Sequence, residues 1–537
     1  MKNGGAASSK FFLYITSFFS GMSVMAVELG ASRLMAPYFS SSQIVWTVII
    51  GTIMIAMAVG NIWGGKMADK NPSPDRLYCR LLIAAVWIAA IPMLGRYVLL
   101  GVSLLLASFI SHNFLIWASL VSCLIIFVFP LILLGTVTPS LVKFITENLE
   151  NNARIVGSLD ALNTIGSIIG TFLPTFVTIP AVGTGATFII FSAILALVSI
   201  VYFISTHRRL RTCAVLAAVI AALGVFGTNT SFAFWEKDIV YEDESIYNYL
   251  KVNETEDEVI LSTNVLFGVQ SIKMKNGGLT GMYYDYALAA PVMAGLSEHD
   301  GRVLILGLGS GTFASACLEY FPDVYVDGVE IDRKISDTAS EYFDMPSEVS
   351  VTVEDGRAYL QTYAREEKYD VIMVDAYQDI TIPFQMSSAE FFKEVSEHLN
   401  EDGVMVVNMN MRSGNEGSIN AYLCDTISSV FPEVWYADVG GNREVYASFN
   451  RELMDRFGTE RLKVEDPELT GLLGRMEFHR WQAGDLILTD DKAPVELLGM
   501  KVLDEIVSSE IEYYREIYFS ELGDKGLAGL AGELLGG

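Results

Sequence analysis

Val303-Leu304-Ile305-Leu306-Gly307-Leu308-Gly309-Ser310-Gly311-Thr312 is the stretch on which the fold turns. A short apolar run ends in a glycine-rich turn, and the turn opens a helical pattern, the order of a strand feeding a ligand loop at a helix N-terminus. Three further apolar runs end in carboxylates: Val324-Tyr325-Val326-Asp327-Gly328-Val329 in Glu330, the run near 349–353 in Glu354 and Asp355, and Val371-Ile372-Met373-Val374 in Asp375. Glu330 lies 19 residues past Gly311. Parallel sheets present ligands at the carboxyl ends of their strands, so the pattern predicts a nucleoside-binding cleft lined with acids.

Working outward, strands are expected near 302–306, 324–330, 349–354, 369–375, 403–409, 433–439 and 445–450, with helices between the earlier ones. This predicts an α/β Rossmann-like domain of the seven-stranded class I methyltransferase type over 291–450. Before it, 236–290 reads as a small β lead-in domain, with strands at Tyr247-Asn248-Tyr249-Leu250-Lys251-Val252 and Gln270-Ser271-Ile272-Lys273-Met274 and a turn at Asn276-Gly277-Gly278. After it, 451–537 reads as a mostly helical tail with one polar loop, Thr489-Asp490-Asp491-Lys492-Ala493-Pro494.

Residues 1–235 are of another kind. A mean hydropathy of +0.38 with 18% charged residues is too apolar for an ordinary soluble enzyme. Bilayer-length apolar runs recur near 11–35, 43–63, 81–110, 114–141, 155–180, 185–205 and 212–228, predicting a multispan α-helical membrane domain of about seven helices in a cell membrane. Lys and Arg recur before the first run and after the second, fourth and sixth, which places those loops together on a cytoplasmic side. With seven crossings the soluble domain would exit opposite, where an adenosyl cofactor is not expected, so its side is left open. Polar residues inside spans are costly and often functional. Glu28, Arg33, Asp160 and Asn163 are such candidates, either as packing locks or along a substrate path. Gly157, Gly166 and Gly170 suit close helix contact.

Residues 1–235 carry 13 Lys/Arg and 6 Asp/Glu, and residues 236–537 carry 23 and 57, a net charge of −34. A domain so acidic excludes nucleic acid as a partner and favours a cationic substrate. Five scattered cysteines and five histidines form no metal-ligand pattern, so no metal is expected.

The glycine turn (Gly307, Gly309, Gly311) admits a ligand close to the backbone and fits dinucleotides and S-adenosyl ligands alike. Glu330 suits ribose hydroxyls, because a carboxylate accepts two hydrogen bonds, and Asp355-Gly356 suits an adenine amino group. Helix capping or a strand-end ion pair is the alternative for both. Asp375 stands where a reacting group would lie and could hold an ammonium and take its proton, the alternative being a helix cap. Asp379 follows in what reads as a loop over the site, and Tyr247, Tyr283 and Asp285 are candidates for the acceptor wall.

These motifs together resemble the spermidine synthases, the polyamine aminopropyltransferase family. The resemblance rests on Ser245-Ile246-Tyr247-Asn248, Tyr283-Tyr284-Asp285, the glycine turn, Val329-Glu330-Ile331-Asp332, Glu354-Asp355-Gly356-Arg357-Ala358 and the strand ending in Asp375. The apolar half, with Glu28-Leu29-Gly30-Ala31-Ser32-Arg33 and Asn163-Thr164-Ile165-Gly166, and the loop 489–494 resemble membrane-fused relatives. The resemblance implies transfer of an aminopropyl group from decarboxylated S-adenosylmethionine to a polyamine such as putrescine or spermidine, with methylthioadenosine released. It implies Glu330 on the ribose, Asp355 on the adenine, Asp375 as catalytic carboxylate and Tyr283 as placing the amine, with Asn248 in place of the family's Gln. The chain departs from the family at Ser310, where the family has an Asp that grips the aminopropyl amine, and at Asp375-Ala376-Tyr377-Gln378, where the family reads Asp-Ser-Ser-Asp. Ser310 leaves open an S-adenosylmethionine-dependent methyltransferase. A third expectation is a transporter with a nucleoside-sensing domain. The bilayer is an expected partner, and a homodimer is a further one.

Overall fold

The computed structural model describes residues 10–146, 152–228, 231–265, 269–321, 323–377 and 382–536, with side chains as far as 517. The chain forms two compact units, one of Met1–Glu236 with Val507–Gly537 and one of Lys237–Ile506.

The first unit is helical. Its long helices are Lys10–Phe39, Gln43–Lys70, Pro74–Ala107, Asn152–Leu173, Ile179–Ser205 and Leu210–Gly227. The segment expected as one helix near 114–141 is three, Phe114–Ile126, Val128–Gly135 and Val137–Ile145. Pro130 is the cause of the first break: it has no N–H to give the Ile126 carbonyl. The Trp87 indole donates to that carbonyl instead, at 2.8 Å. Among the described residues six helical stretches, rather than seven, are long and apolar enough to cross a membrane. The count differs because Asn152–Ser205 runs on as one 54-residue stretch. At about 1.5 Å per residue this is far longer than a bilayer core. Gly183 (φ 79°) kinks it between the two segments expected from sequence. Large apolar side chains such as Met54, Ile62, Leu104 and Phe172 lie exposed on these helices.

The expected polar residues separate here. The Asn163 amide donates to the Ser17 carbonyl (3.2 Å), and the Ser17 hydroxyl to the Leu159 carbonyl (2.9 Å), so Asn163 joins Lys10–Phe39 to Asn152–Leu173. Glu28 and Arg33 are half-buried, and Asp160 is exposed. A Cβ at Gly166 or Gly170 would collide with the backbone of Phe18 or Met22, whereas one at Gly157 would meet nothing within 4 Å. Gly157 is therefore not part of the close contact. Gly166→Leu should cost at least 1–3 kcal/mol through overpacking, read as a lowered melting temperature in detergent, while Gly157→Leu should leave it unchanged.

In the second unit β1 (Ile239–Glu244), β2 (Tyr249–Glu254), β3 (Glu258–Ser262) and β4 (Ser271–Met274) form an antiparallel meander in chain order. Two of its strands were not singled out from sequence: β1 is three apolar residues followed by three acidic ones and β3 is short, so neither shows a clear alternation. The larger sheet holds β5 (Gly301–Leu306), β6 (Val324–Glu330), β7 (Ser350–Val353), β8 (Tyr369–Val374), β9 (Leu399–Met409), β10 (Glu433–Val439), β11 (Asn442–Ser448) and β12 (His479–Arg480). The order is β12-β10-β11-β9-β8-β5-β6-β7. Strands β5 to β9 run parallel, β10, β11 and β12 pair antiparallel, and two-residue β12 adds an eighth strand at the edge to the seven expected.

The core of this unit sits on Val303, Ile305, Val371, Met373, Val404 and Val406, against the helices Tyr283–Ala287 and Ala289–Met293. From β5 the chain builds outward to β6 and β7, then returns to lay β8 on the other flank of β5. The reversal opens a crevice at the carboxyl ends of β5 and β8, where ligands bind in such sheets.

Candidate active site

The glycine turn lies in that crevice. Gly307, Gly309 and Gly311 have φ of 94°, 58° and 79°. Glycine is required most plainly at Gly307, where a Cβ would lie 2.8 Å from Ala376 Cα at the end of β8. This close approach brings the turn and Asp375 together. Gly311 caps the helix Thr312–Tyr320.

Glu330 ends β6 and is buried. Its carboxylate accepts from the N–H of Gly309 (3.0 Å) and of Asp332 (2.9 Å), which ties it to the turn. Burial pushes the carboxyl up to about 7, partly offset by those backbone donors. Asp355 accepts from the Ala358 N–H (2.9 Å) and so caps the helix Gly356–Thr362. The cap engages one carboxylate oxygen, so capping and ligand binding do not exclude each other.

Asp375 ends β8 and is held from two sides. The Tyr283 hydroxyl donates to Oδ2 at 2.6 Å, and the Asn408 amide to Oδ1 at 2.8 Å. Asn408 is itself held by the Asn442 amide (2.8 Å) and receives the Tyr377 hydroxyl on its carbonyl. Asp375 is thus not a helix cap. It faces the cleft on one side and protein on the others, and desolvation pushes its carboxyl up to about 7 against the lowering effect of Tyr283 and Asn408. Asn408 and Asn442 were missed from sequence. The legible signal was a lone amide closing the apolar run Val404-Met405-Val406-Val407.

A cavity of about 170 Å³ joins these groups, lined among others by Tyr247, Asn248, Tyr283, Glu330, Asp355 and Asp375, with Gly307, Gly309 and Gly356 beside them. Tyr247 is half-exposed at its mouth, and the Asn248 amide donates to Asp332 (3.3 Å). Two expected members lie elsewhere. Ser310 is buried, shares a hydrogen bond with Thr312 (3.0 Å), and lines a neighbouring cavity with Asp285. Gly309 and Gly311, both left-handed, flank Ser310, and its side chain packs toward Thr312, away from the cleft. The Asp285 carboxylate accepts from the Thr280 hydroxyl (3.1 Å) and the Gly281 N–H (2.6 Å), so it braces the approach to its own helix. Asp379 lies outside the described residues. No group of three His, Cys, Asp or Glu among the described residues could hold a metal ion.

The loop at 489–494 supports the rim. Arg357 donates to Glu394, to Asp490 (2.8 and 2.9 Å) and to the Gln385 carbonyl (3.0 Å), and Asp490 also accepts from Ser388 (2.5 Å). Gln385 and Met386 line the cleft, so this ion-pair hub fixes part of its wall.

The family model of the spermine/spermidine synthase domain matches residues 287–439. The chain is 48% identical over 354 residues to a probable polyamine aminopropyl transferase of Bifidobacterium longum, covering 62% of this chain and 77% of that one. The chain belongs to the polyamine aminopropyltransferase family. It is a transferase of that family, and its similarity to the Vibrio vulnificus polyamine aminopropyltransferase is 27% over 285 residues, 50% of this chain and 93% of that one. Among solved structures, a probable spermidine synthase from Corynebacterium glutamicum is similar with a TM-score of 0.35 and 18% identity, over 47% of this chain and 99% of that one. The matched region covers β5 to β10 of the larger sheet and so includes Glu330, Asp355 and Asp375, which line the crevice.

Proposed function

We propose that this aminopropyltransferase holds decarboxylated S-adenosylmethionine along the carboxyl edge of β5, β6 and β7 and a polyamine-type amine at Asp375. The observation that carries the reading is the fixing of Asp375 by Tyr283 and Asn408 beside the Gly307 turn. Glu330 accepts from the ribose hydroxyls and Asp355 from the adenine amino group, which fits the cavity they line. Tyr247 and Asn248 stand at the acceptor side of the same cavity.

The chemistry asks little of the protein beyond placement and one proton. An ammonium drawn to Asp375 gives it a proton, and the freed nitrogen lone pair attacks the methylene carbon next to the sulfonium. A C–N bond forms, the C–S bond breaks, and its electron pair stays on sulfur as neutral methylthioadenosine leaves. The leaving thioether needs no acid, so a single base suffices. The two reactants are held in one cleft, which removes most of the entropic barrier to their meeting. The apolar helices of the first unit, with their exposed faces, are read as a membrane anchor.

The test is direct. Full-length protein, extracted with detergent from the membrane fraction, should release methylthioadenosine when given the decarboxylated donor with putrescine or spermidine. Release with no amine, or S-adenosylhomocysteine formed from S-adenosylmethionine instead, would overturn the transfer reading. Recovery in the soluble fraction without detergent would overturn the anchor.

A further inference from the structure

Behind Asp375 lies an acid that the proposed reaction does not use. Glu444, in the middle of β11, is completely buried, and neither carboxylate oxygen has a hydrogen-bond partner. Among the described residues no Lys, Arg or His is paired with it. A buried carboxylate without partners is rare, because it must give up its charge or find a cation.

Its position is defined by the sheet. Glu444 is directly opposite Asn408 in the antiparallel β9–β11 pair, so the two side chains share a face about 5 Å apart. Asn408 is the residue that donates to Asp375. Asp375 and Tyr377, at and after the end of β8, lie within electrostatic reach of Glu444, as does Tyr446 two places along its own strand. The helix Tyr283–Ala287 covers this face through the Tyr446 hydroxyl on the Tyr286 carbonyl, and contributes Tyr283, Tyr284 and Asp285.

The two acids therefore differ in kind. Asp375 has two donors that stabilise its ionised form, and Glu444 has none. Burial, and then the charge of Asp375, hold the Glu444 carboxyl far above the usual range. In a coupled pair the proton resides on the member without donors. With the cleft empty of cations, Asp375 bears the negative charge and Glu444 the proton.

We infer that Glu444 is a proton-releasing positioning residue: a polyamine cation seated on Asp375 cancels that acid's charge and sets its own remaining positive charge against the burial that holds Glu444 neutral, the Glu444 proton leaves to solvent, and Glu444 becomes the second negative charge behind the acceptor. The chain thus carries a reserve charge that appears only when the polycation is in place. Acceptor binding becomes tighter as pH rises, because a proton is a product of binding. The step is a proton transfer alone, with no bond to carbon made or broken. It rests on the reading of the acceptor as a polyamine-type amine.

Calorimetric titration of putrescine into the full chain saturated with methylthioadenosine, in buffers of different ionisation enthalpy, counts the protons released. At about pH 8, where Asp375 is already ionised, the wild type should release about one proton more than Glu444→Gln. The wild-type acceptor KM should fall with pH more steeply than that of Glu444→Gln, while kcat at saturating acceptor changes far less. Glu444→Met, which removes a buried unpaired acid and should fold at least as well, should lose the same proton. An unchanged proton count and an unchanged KM slope in both variants would overturn the inference. If no amine binds or turns over even in the wild type, it is the acceptor reading that fails, and the two results are distinguishable.

Discussion

Asp375→Asn should lower kcat about a thousandfold, the scale expected when a positioned base is removed, with the fold and donor binding kept. The change is small in shape, but an amide would set its NH2 against one of the two donors, Tyr283 or Asn408, that now hold both carboxylate oxygens. The loss should appear in single-turnover rates as fully as in steady state. The pH profile provides a second check. Asp375 must be ionised to take a proton, and burial pushes its carboxyl up to about 7. In Glu444→Gln, which lacks the second proton released on binding, kcat/KM for the amine should therefore rise about tenfold per pH unit below neutrality and level off above it, while the wild type should continue to rise. The residual activity of Asp375→Asn should have lost that acid limb. A variant that keeps the limb would assign it to another group.

Glu330→Gln should raise the KM for the donor by roughly tenfold to a hundredfold, as expected for losing a hydrogen bond to a charged acceptor. Glu330 accepts backbone N–H groups on both oxygens, Gly309 on one and Asp332 on the other. Glutamine can satisfy only one of them, so the substitution disturbs the turn as well as the proposed ribose contact. Saturating donor should recover most of kcat, which separates this effect from that of Asp375→Asn. The same residue has a stability signature. Folding raises the Glu330 carboxyl from 4.5 to about 7. The folded chain thus holds a proton in a range where the unfolded chain has released it, and the group's contribution to stability declines as pH rises through that window. Melting temperatures of wild type and Glu330→Gln, compared across this range, should show a shallower decline in the variant.

What could be read in advance follows from how far along the chain each signal extends. The strand, turn and helix at 303–320 and the carboxylates that end β6 and β8 are local features, and an apolar run followed by glycines or an acid is visible in any short window. Their convergence in one crevice follows from parallel-sheet topology. Asn442 and Glu444 carry no such local mark, and Asn408 only that of a lone amide closing an apolar run. Asn408 reaches Asp375 because β9 lies parallel beside β8, and Asn442 and Glu444 come near it because β11 pairs antiparallel with β9, registers that no short window contains. The same holds for Ser310. Its place in the motif was plain, but the flanking left-handed glycines, which take its hydroxyl to Thr312 instead of the cleft, are a backbone property. In the apolar half, length and hydropathy located the helices, whereas the break near Phe127 depended on Pro130 and on a distant Trp87 that accommodates it.

The crevice draws its two halves from very different lengths of chain. Everything assigned to the donor lies between Gly307 and Gly356, one contiguous stretch, while the groups around Asp375 come from the helix at Tyr283, from β8, from β9 and from β11. A disturbance of the donor shelf is therefore local to one turn of the chain. The acceptor wall is instead a joint where four separate elements meet, tied to one another through Asp375 and Asn408, so that a change in any one of them is transmitted to the rest.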